Sequence, residues 1–222
     1  AIVSGGSFGQ RWNVSINGQV YAQPLYANGQ VFVATETNWV YSIDADTGTV
    51  LWSKQLGVPW NPSDSGCNDL TPSFGVTGTP VIDDDINTVY LVSKTYDAGS
   101  PANFMHALDL LTGAERTGFP VKITGAAQNS PTVNFDSFRQ MNRPGLLLMD
   151  GVVYAAFGSH CDFGTYQGWL VGVNTSGAIT ARWTTRAATS QAGAAIWHSG
   201  GGPVSDGSGR IFFTTGNGGA QT

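Results

Sequence analysis

The chain has 222 residues, of which 41% are hydrophobic and only 11% are charged. Low charge, together with 30 glycines and 7 tryptophans, excludes a disordered chain and disfavours a helical bundle, which needs charged residues on its solvated faces. A net charge of −5 supplies no attraction for nucleic acid, so we expect no nucleic-acid partner. No apolar run approaches the length that spans a membrane, so we expect no membrane-spanning segment.

Three segments of the chain follow one plan, in which short runs of β-branched and aromatic residues are separated by turns. Each segment closes on a glycine, and Gly48, Gly113 and Gly177 recur at intervals of 65 and 64 residues. Such a repeat, with four short antiparallel strands in each copy, predicts an all-β fold made of β-propeller blades. A two-sheet sandwich is the alternative, but it predicts no repeat. Three blades and half of a fourth are predicted at residues 20–57, 78–124, 144–187 and 202–216.

Turn residues and the two ends of the repeat extend this prediction. The pairs Asn28-Gly29 and Asp150-Gly151 are typical of tight hairpins, since both positions tolerate positive φ. Residues 8–16 are predicted to form an outer strand that closes a further blade. About three and a half blades would leave unpaired strand edges. We therefore expect a larger ring, completed by a C-terminal segment or by a second chain.

The clearest copy of the repeat motif is at residues 42–52, which read Ser-Ile-Asp-Ala-Asp-Thr-Gly-Thr-Val-Leu-Trp. Apart from Ser42, this sequence resembles the A-x-D-x-x-T-G-x-x-x-W repeat of quinoprotein-like propellers, the pyrroloquinoline-quinone type. The second copy keeps Asp109 and Thr112 of the pattern, and the third replaces the Asp with Asn174. The resemblance covers nearly the whole chain and points to secreted microbial members. It implies a propeller whose motif tryptophan docks between blades, but no single activity, because most such proteins have none assigned.

The connections between the predicted strands differ in length between the two faces of the blades. In an antiparallel blade with strands A to D, the B–C and D–A connections share one face, and the A–B and C–D turns share the other. We call the first surface the long-loop face and expect a ligand or partner to bind there, since long loops on a rigid scaffold commonly carry function. Its connections are predicted at residues 57–77, 94–104, 124–143, 158–168 and 187–201.

Both cysteines, Cys67 and Cys161, fall on the long-loop face, where we predict one disulfide; two free thiols are the alternative. The chain has three lysines among many Ser, Thr, Asn and Gly residues, which favours an exported protein. The sequons at Asn13 and Asn174 are predicted glycosylation sites in such a protein. The small residue Ala1 suits a processed secretory N-terminus as well as a trimmed chain. We therefore expect a secreted, extracellular protein.

Polar and aromatic side chains on the long-loop face are the candidates for a functional site. They are Asp64, Asn68, Asp69, Asp97, Arg139, Gln140, Arg143, His160, Asp162, Gln191, Trp197 and His198. If the chain binds a quinone, as the resemblance allows, Arg143, Gln140 and Trp197 are the cofactor-binding candidates. The quinone needs a cation for its carboxylates and flat aromatic contact. Calcium would need carboxylates, for which Asp69 and Asp162 are the candidates.

The catalytic candidates are His160, His198 and Asp162, since a histidine with a pKa near the working pH can act as a general base. Several of the candidates also have a structural interpretation. Arg143 could bind loop carbonyls, Trp197 could pack between blades, and His160 could hydrogen-bond a loop.

These observations predict a secreted quinoprotein-like propeller that binds a ligand or partner without catalysing a reaction. One alternative is an oxidoreductase of sugars or alcohols that depends on pyrroloquinoline quinone (PQQ) and calcium. The other is a glycan-binding or carbohydrate-cleaving propeller, because exposed tryptophan and tyrosine suit sugar stacking. The sequence has no C-x-x-C-H haem segment, no G-x-S-x-G elbow, and no adjacent cysteine pair of the kind that resembling quinone-dependent alcohol dehydrogenases carry.

Overall fold

The computed structural model describes residues 9–187, 192–198 and 200–218. Within these ranges the chain is built from strands, and a 3-10 helix at Pro62–Ser65 is the one helical element. No helix in the described part is long and apolar enough to cross a membrane. The predicted all-β class is therefore confirmed.

The first two blades are four-stranded antiparallel sheets whose strands lie in chain order. The first blade comprises β1 (Leu25–Ala27), β2 (Gln30–Ala34), β3 (Trp39–Asp44) and β4 (Val50–Gln55). The second comprises β5 (Val81–Asp83), β6 (Thr88–Asp97), β7 (Ser100–Asp109) and β8 (Val121–Lys122). Asn28 and Gly29 both have positive φ between β1 and β2, as a tight hairpin requires.

The connection to the third blade contains strands of its own. A hairpin of β9 (Ala126–Ala127) and β10 (Ser130–Asn134) precedes β11 (Gln140–Met141). The third blade follows, with β12 (Leu147–Met149), β13 (Val152–Ser159), β14 (Trp169–Asn174) and β15 (Ile179–Thr184). Because β11 pairs with the end of β13, this sheet has five strands. Half of a fourth blade is formed by β16 (Val204–Ser205) and β17 (Ile211–Phe212).

Face-to-face packing of the blades buries both sides of the central strands. Along β6, Val89 and Leu91 pack with the first blade, whereas Tyr90 and Val92 pack with the third. Successive side chains of a strand point to opposite faces, so a strand buried on both sides needs a continuous apolar run. At the inner edge, β12 contacts both β5 and β16, and the innermost strands of these blades therefore meet at one axis. This arrangement is a partial β-propeller, as the repeat predicts.

Tryptophans join neighbouring blades at the repeat turns. Trp52 in β4 donates its indole N–H to Leu110 O at 2.8 Å. The same ring lies so close to Gly113 that a Cβ there would stand 2.7 Å from it. Trp12 repeats the hydrogen bond one blade earlier, donating to Ala45 O at 2.9 Å. Trp12 therefore occupies the position that the outer strand of a preceding blade would supply.

The closing strand predicted at residues 8–16 does not form as a strand. Residue 8 lies outside the described residues, and residues 9–16 pair with no other strand in the described chain. Their side chains still alternate in burial, and Trp12, Val14 and Ile16 pack against the first blade. The segment therefore docks as an outer strand does, but the strand that would hydrogen-bond to it is not among the described residues.

The connection predicted at residues 94–104 is wrong, because this region is a long hairpin. β6 runs to Asp97 and β7 begins at Ser100, with Ala98 and Gly99 both at positive φ in the turn between them. The predicted connection began at Lys94, whereas the strand continues beyond it. A lysine is seldom fully buried. Lys94 is nevertheless buried, because partners from other loops surround its side chain.

Candidate functional site

The long-loop face brings together connections that are far apart in the sequence. The Trp60 ring lies 4.9 Å from the His160 ring and 6.1 Å from the Phe138 ring, so three of the long connections meet at this indole. Gln167 forms a β-bridge with Gly193, which adds the connection after the third blade. One surface therefore carries residues from four long connections.

Cys67 and Cys161 form a disulfide, which confirms the predicted pairing. Their Cα atoms are 5.9 Å apart, and the bond joins positions 94 residues apart in the sequence. It ties the connection after the first blade to the B–C connection of the third, across the second blade. The bond therefore constrains three blades relative to one another.

Lys94 is the centre of a polar cluster beneath these loops, and its side chain is fully buried. Its Nζ donates to Gln140 O at 3.1 Å and lies 2.7 Å from His160 Nε2. His160 Nδ1 lies 3.5 Å from Asp69 Oδ1. The amine also stands 4.0 Å from the centre of the Trp60 ring. The structure therefore brings the candidates Gln140, His160 and Asp69 together around one lysine.

Burial decides the protonation of this cluster. Burial lowers the pKa of His160 to about 4 and lowers the pKa of Lys94 well below its usual value. A neutral amine can donate to a neutral imidazole, and the interior then holds no uncompensated charge. His160 consequently lacks the near-neutral pKa that a general base requires.

Glu36, in the connection between β2 and β3, is a second fully buried ionisable group. Its Oε2 accepts a hydrogen bond from Gly75 N at 2.8 Å, and burial raises its pKa to about 7. Sequence reasoning missed both Glu36 and Lys94, because burial of a charged side chain depends on partners that are distant in the chain. The lysine that interrupts the apolar run of β6 was the only available signal.

Three other candidates lie at the seam between the third blade and the half blade. His198 Nε2 accepts a hydrogen bond from Thr214 N at 2.7 Å. Asp162 Oδ2 accepts one from Asn217 Nδ2 at 2.6 Å. Trp197 packs on the buried aromatic cluster beneath the loops. His198 and Asp162 thereby join the third blade to the half blade.

Arg143 stands at the opening of the propeller axis. It lines a cavity of about 100 Å³ together with Tyr21, Thr77, Thr79 and Gly200. These residues precede the innermost strands of four successive blades. Among the described residues, the exposed Arg143 guanidinium has no hydrogen-bond or ion-pair partner, and the described lining includes no carboxylate.

A second polar cavity, of about 140 Å³, lies at the rim between β10 and the B–C connection of the third blade. Its polar lining consists of Asn134, Asp136, Arg139, Gln140, Thr165 and Gln167. On another side of Arg139 lies a small cavity of about 40 Å³, where Phe138 and Phe163 are exposed. Arg139 belongs to the predicted polar set, but the sequence assigned it no role.

The two metal candidates, Asp69 and Asp162, have different partners. The sulfur atoms of Cys67 and Cys161 and a carboxylate oxygen of Asp69 lie within 4.8 Å of one another, but the disulfide removes the thiolates that a metal needs. Asp69 faces His160, whereas Asp162 bonds to the half blade. The remaining polar candidate of the last connection, Gln191, lies outside the described residues.

The two predicted glycosylation sites differ in their surroundings. Asn13 is exposed, next to the docked Trp12. The Asn174 side chain closes a turn, where its Oδ1 accepts hydrogen bonds from Ser176 and from Ala178 N. Glycosylation stays a prediction at both positions.

The radial blades and the enlarged loops of one face define a repeat-propeller scaffold. A family model described as outer membrane protein assembly factor BamB matches residues 7–132, which is more than half of the chain. The chain belongs to this family of propellers with PQQ-type repeats. No curated protein sequence matches the chain.

Solved structures share the fold at low sequence identity. BamB from Moraxella catarrhalis has a TM-score of 0.50 at 22% identity, over 78% of this chain and 42% of that chain. The quinohemoprotein alcohol dehydrogenase ADHIIG from Pseudomonas putida HK5 has a TM-score of 0.52 at 16% identity, over 78% and 21%. A europium-containing methanol dehydrogenase has a TM-score of 0.55 at 12% identity, over 85% and 38%. The chain spans less than half of each of these proteins.

Proposed function

We propose that this chain is a non-catalytic binding segment of a larger β-propeller, and that its long-loop face carries the binding site. The observation that supports this most strongly is that internal partners already occupy the catalytic candidates. His160 is held by Lys94, and Asp162 and His198 hold the half blade in place. Groups used in this way stabilise the face, and they leave the rim and the axial cavities for a ligand or partner.

The family match supports binding to a partner protein. Its description names an assembly factor, and the similar structure from Moraxella catarrhalis carries the same name. A rigid disc with elaborated loops on one side suits such a role, because loops change without disturbing the blades beneath them.

Unpaired strand edges support completion of the ring by further blades. In the described chain β17 pairs with β16 alone, and Phe212 is 50% exposed. At the other end, residues 9–16 pair with no strand among the described residues. An edge of this kind is a template for strand addition. We propose that a C-terminal segment or a second chain supplies the missing strands.

A PQQ-dependent oxidoreductase of sugars or alcohols with calcium is the second candidate, and the position of Arg143 favours it. An unpaired guanidinium at the axis suits a carboxylate-bearing ligand. Calcium takes roughly six to eight oxygen ligands in proteins. The described lining of that cavity supplies no carboxylate as such a ligand. The described cavity residues therefore do not fit PQQ together with calcium. Such a site would need calcium ligands from further blades.

We also propose that the protein is exported. The disulfide supports this, because such bonds persist in oxidising compartments and are rare in the cytosol.

A reconstitution assay tests the non-catalytic proposal. Purified native protein is incubated with PQQ and CaCl₂, desalted, and assayed for dye reduction with sugars and alcohols. We expect no turnover and no quinone absorbance retained after desalting. Cofactor-dependent turnover in the native protein that Arg143→Ala abolishes and Arg210→Ala preserves would overturn the proposal and support the oxidoreductase.

A further inference from the structure

We propose that the rim cavity beside Arg139 binds one ring of a neutral glycan. This inference rests on the proposed binding function and names the ligand class for one part of the long-loop face. In the cavity wall, the paired guanidinium of Arg139 lies between a polar cavity and two exposed phenylalanines.

Arg139 is held in one orientation by three neighbours. Its Nε lies 3.2 Å from Asp136 Oδ2, and its Nη1 donates to Phe163 O at 2.8 Å. Gly164 lies directly against the guanidinium and has a φ of +68°. A Cβ at position 164 would collide with Nη1, so the glycine leaves the space that the arginine fills. The other Asp136 carboxylate oxygen accepts from Phe138 N at 3.0 Å, which fixes the turn that carries Arg139.

The balance of charge in this wall favours an uncharged ligand. The Asp136 carboxylate compensates the Arg139 guanidinium, so the pair offers donors and acceptors without a net charge. Sugar hydroxyls both donate and accept, and they match such a pair better than a phosphate or a carboxylate does. The hydroxyl of Thr165 and the amide of Asn134 add further polar groups to the same cavity.

Apolar surface next to the polar wall completes the chemistry of a sugar site. Phe163 is 52% exposed and Phe138 is 40% exposed, and both line the small cavity that shares Arg139. Phe138 is supported from below by the buried Trp60, whose ring centre is 6.1 Å away. A pyranose presents C–H groups on its faces and hydroxyls around its edge, so adjacent aromatic and polar surfaces contact both.

Size limits the ligand to a short unit. The cavity of about 140 Å³ is well below the roughly 300–1,000 Å³ of typical drug-sized sites. It therefore accepts a single ring, and a neighbouring sugar of the same glycan would lie over the phenylalanines. Modest affinity follows, because a site of this size desolvates little ligand surface.

Binding to an array of neutral and anionic glycans tests the inference. The disulfide-intact native protein is applied to immobilised oligosaccharides of neutral hexoses, N-acetylhexosamines and uronic acids, and hits are titrated by calorimetry. The variants are Arg139→Ala, which removes the guanidinium from the cavity wall, and Thr165→Phe, which fills the cavity from an exposed position. Arg210→Ala is the matched control, since Arg210 also pairs with an aspartate but lies in the turn between β16 and β17, outside this cavity.

We expect binding to neutral glycans that Arg210→Ala preserves and that Arg139→Ala and Thr165→Phe each weaken at least tenfold. Thr165→Phe keeps the test decisive if Arg139→Ala disturbs the loop. Binding to uronic acids alone, no binding to neutral glycans, or neutral binding unaffected by Thr165→Phe would overturn the inference. Its failure is distinct from failure of the non-catalytic proposal, which dye reduction with PQQ decides.

Discussion

At the scale of single residues, two fully buried ionisable groups support the long-loop face from beneath. Lys94 reaches His160 and Gln140 from the second blade, and Glu36 binds the backbone of Gly75 from the first. Each group bonds to an atom of a different blade or loop. These contacts fix where the loops lie, but they place groups inside the protein whose ionisation opposes folding.

Glu36→Gln tests the cost of the buried carboxyl. Its pKa of about 7 exceeds the ordinary value of 4.5. Between pH 4.5 and pH 7, Glu36 is therefore protonated in the native state and ionised in the unfolded state. The contribution of Glu36 to stability therefore falls as pH rises from about 4.5 to about 7. We expect Glu36→Gln to be more stable than the native protein at pH 8, by up to about 3 kcal/mol, and similar to it near pH 4.5. Urea unfolding at both pH values measures this.

Glu115→Gln is the control for that measurement. Burial raises the pKa of Glu115, but its hydrogen bonds with His106 and Ala107 N and the nearby Lys54 charge together outweigh burial and leave the pKa lowered. Its ionised form therefore stabilises the native state above the ordinary pKa, and the variant should be less stable than the native protein at pH 8. If Glu36→Gln also destabilises at pH 8, the assignment of a costly buried carboxyl is wrong.

At the scale of elements, the repeat turns are built on one side-chain acceptor. In the second blade, Asp109 Oδ1 accepts from Leu111 N, Thr112 N and the Thr112 hydroxyl at 2.9–3.0 Å. These bonds outweigh partial burial and lower the pKa of Asp109. Asn174 takes the same place in the third blade without the charge.

Asn174→Asp should strengthen the third turn. A carboxylate accepts stronger hydrogen bonds than an amide oxygen, so we expect a gain of about 0.5–1 kcal/mol at pH 7. The gain should disappear as pH falls through the lowered pKa of the new carboxyl, because the protonated acid loses the advantage. Chemical unfolding at pH 7 and pH 3 measures both effects. A loss of stability at pH 7 would show that the turn does not use this acceptor.

The disulfide should stabilise the long-loop face. It closes a loop of 94 residues, for which the chain-entropy treatment gives up to about 4–5 kcal/mol. We expect the double variant Cys67→Ala, Cys161→Ala to lose a large part of this free energy of unfolding. Dithiothreitol should lower the stability of the native protein by a similar amount and leave the double variant unchanged. A change below about 1 kcal/mol in both comparisons would contradict the role assigned to the bond.

Docking between blades is tested by a matched pair of glycine substitutions. Gly113 and Gly29 have φ values of +69° and +77°, but a Cβ at Gly113 meets Trp52 at 2.7 Å whereas one at Gly29 meets nothing within 4 Å. Both alanine variants should lose about 1–2 kcal/mol to backbone strain. Gly113→Ala should lose about 1–3 kcal/mol more through the clash with the tryptophan. Equal losses in thermal or urea unfolding would show that the indole does not dock there.

At the scale of the whole molecule, the sequence could predict what the repeat and its local residues determine. The interval between Gly48 and Gly113 predicts the blades, and Asn28-Gly29 predicts a hairpin that forms. The pairing of Cys67 with Cys161 followed from strand order, because antiparallel blades place both residues on one face. These features depend on neighbours in sequence or on strand order alone.

The interior of the long-loop face could not be predicted in this way. Lys94 is buried because His160, 66 residues later, receives its amine. The rim cavity depends on how β10 and the loop after β13 approach each other, and no local pattern encodes that distance. His160 lies on the predicted face. Its buried surroundings suit a structural hydrogen bond with Lys94 rather than proton transfer.

The central claim is that these blades form part of a larger ring whose edges are covered by further strands. The intact mass of native material under non-denaturing conditions tests it most directly. We expect a species larger than the 23.3 kDa of this sequence, in which amides of β17 and of residues 10–16 are protected from hydrogen exchange. A stable monomer of 23.3 kDa with nothing attached to those edges would contradict the account.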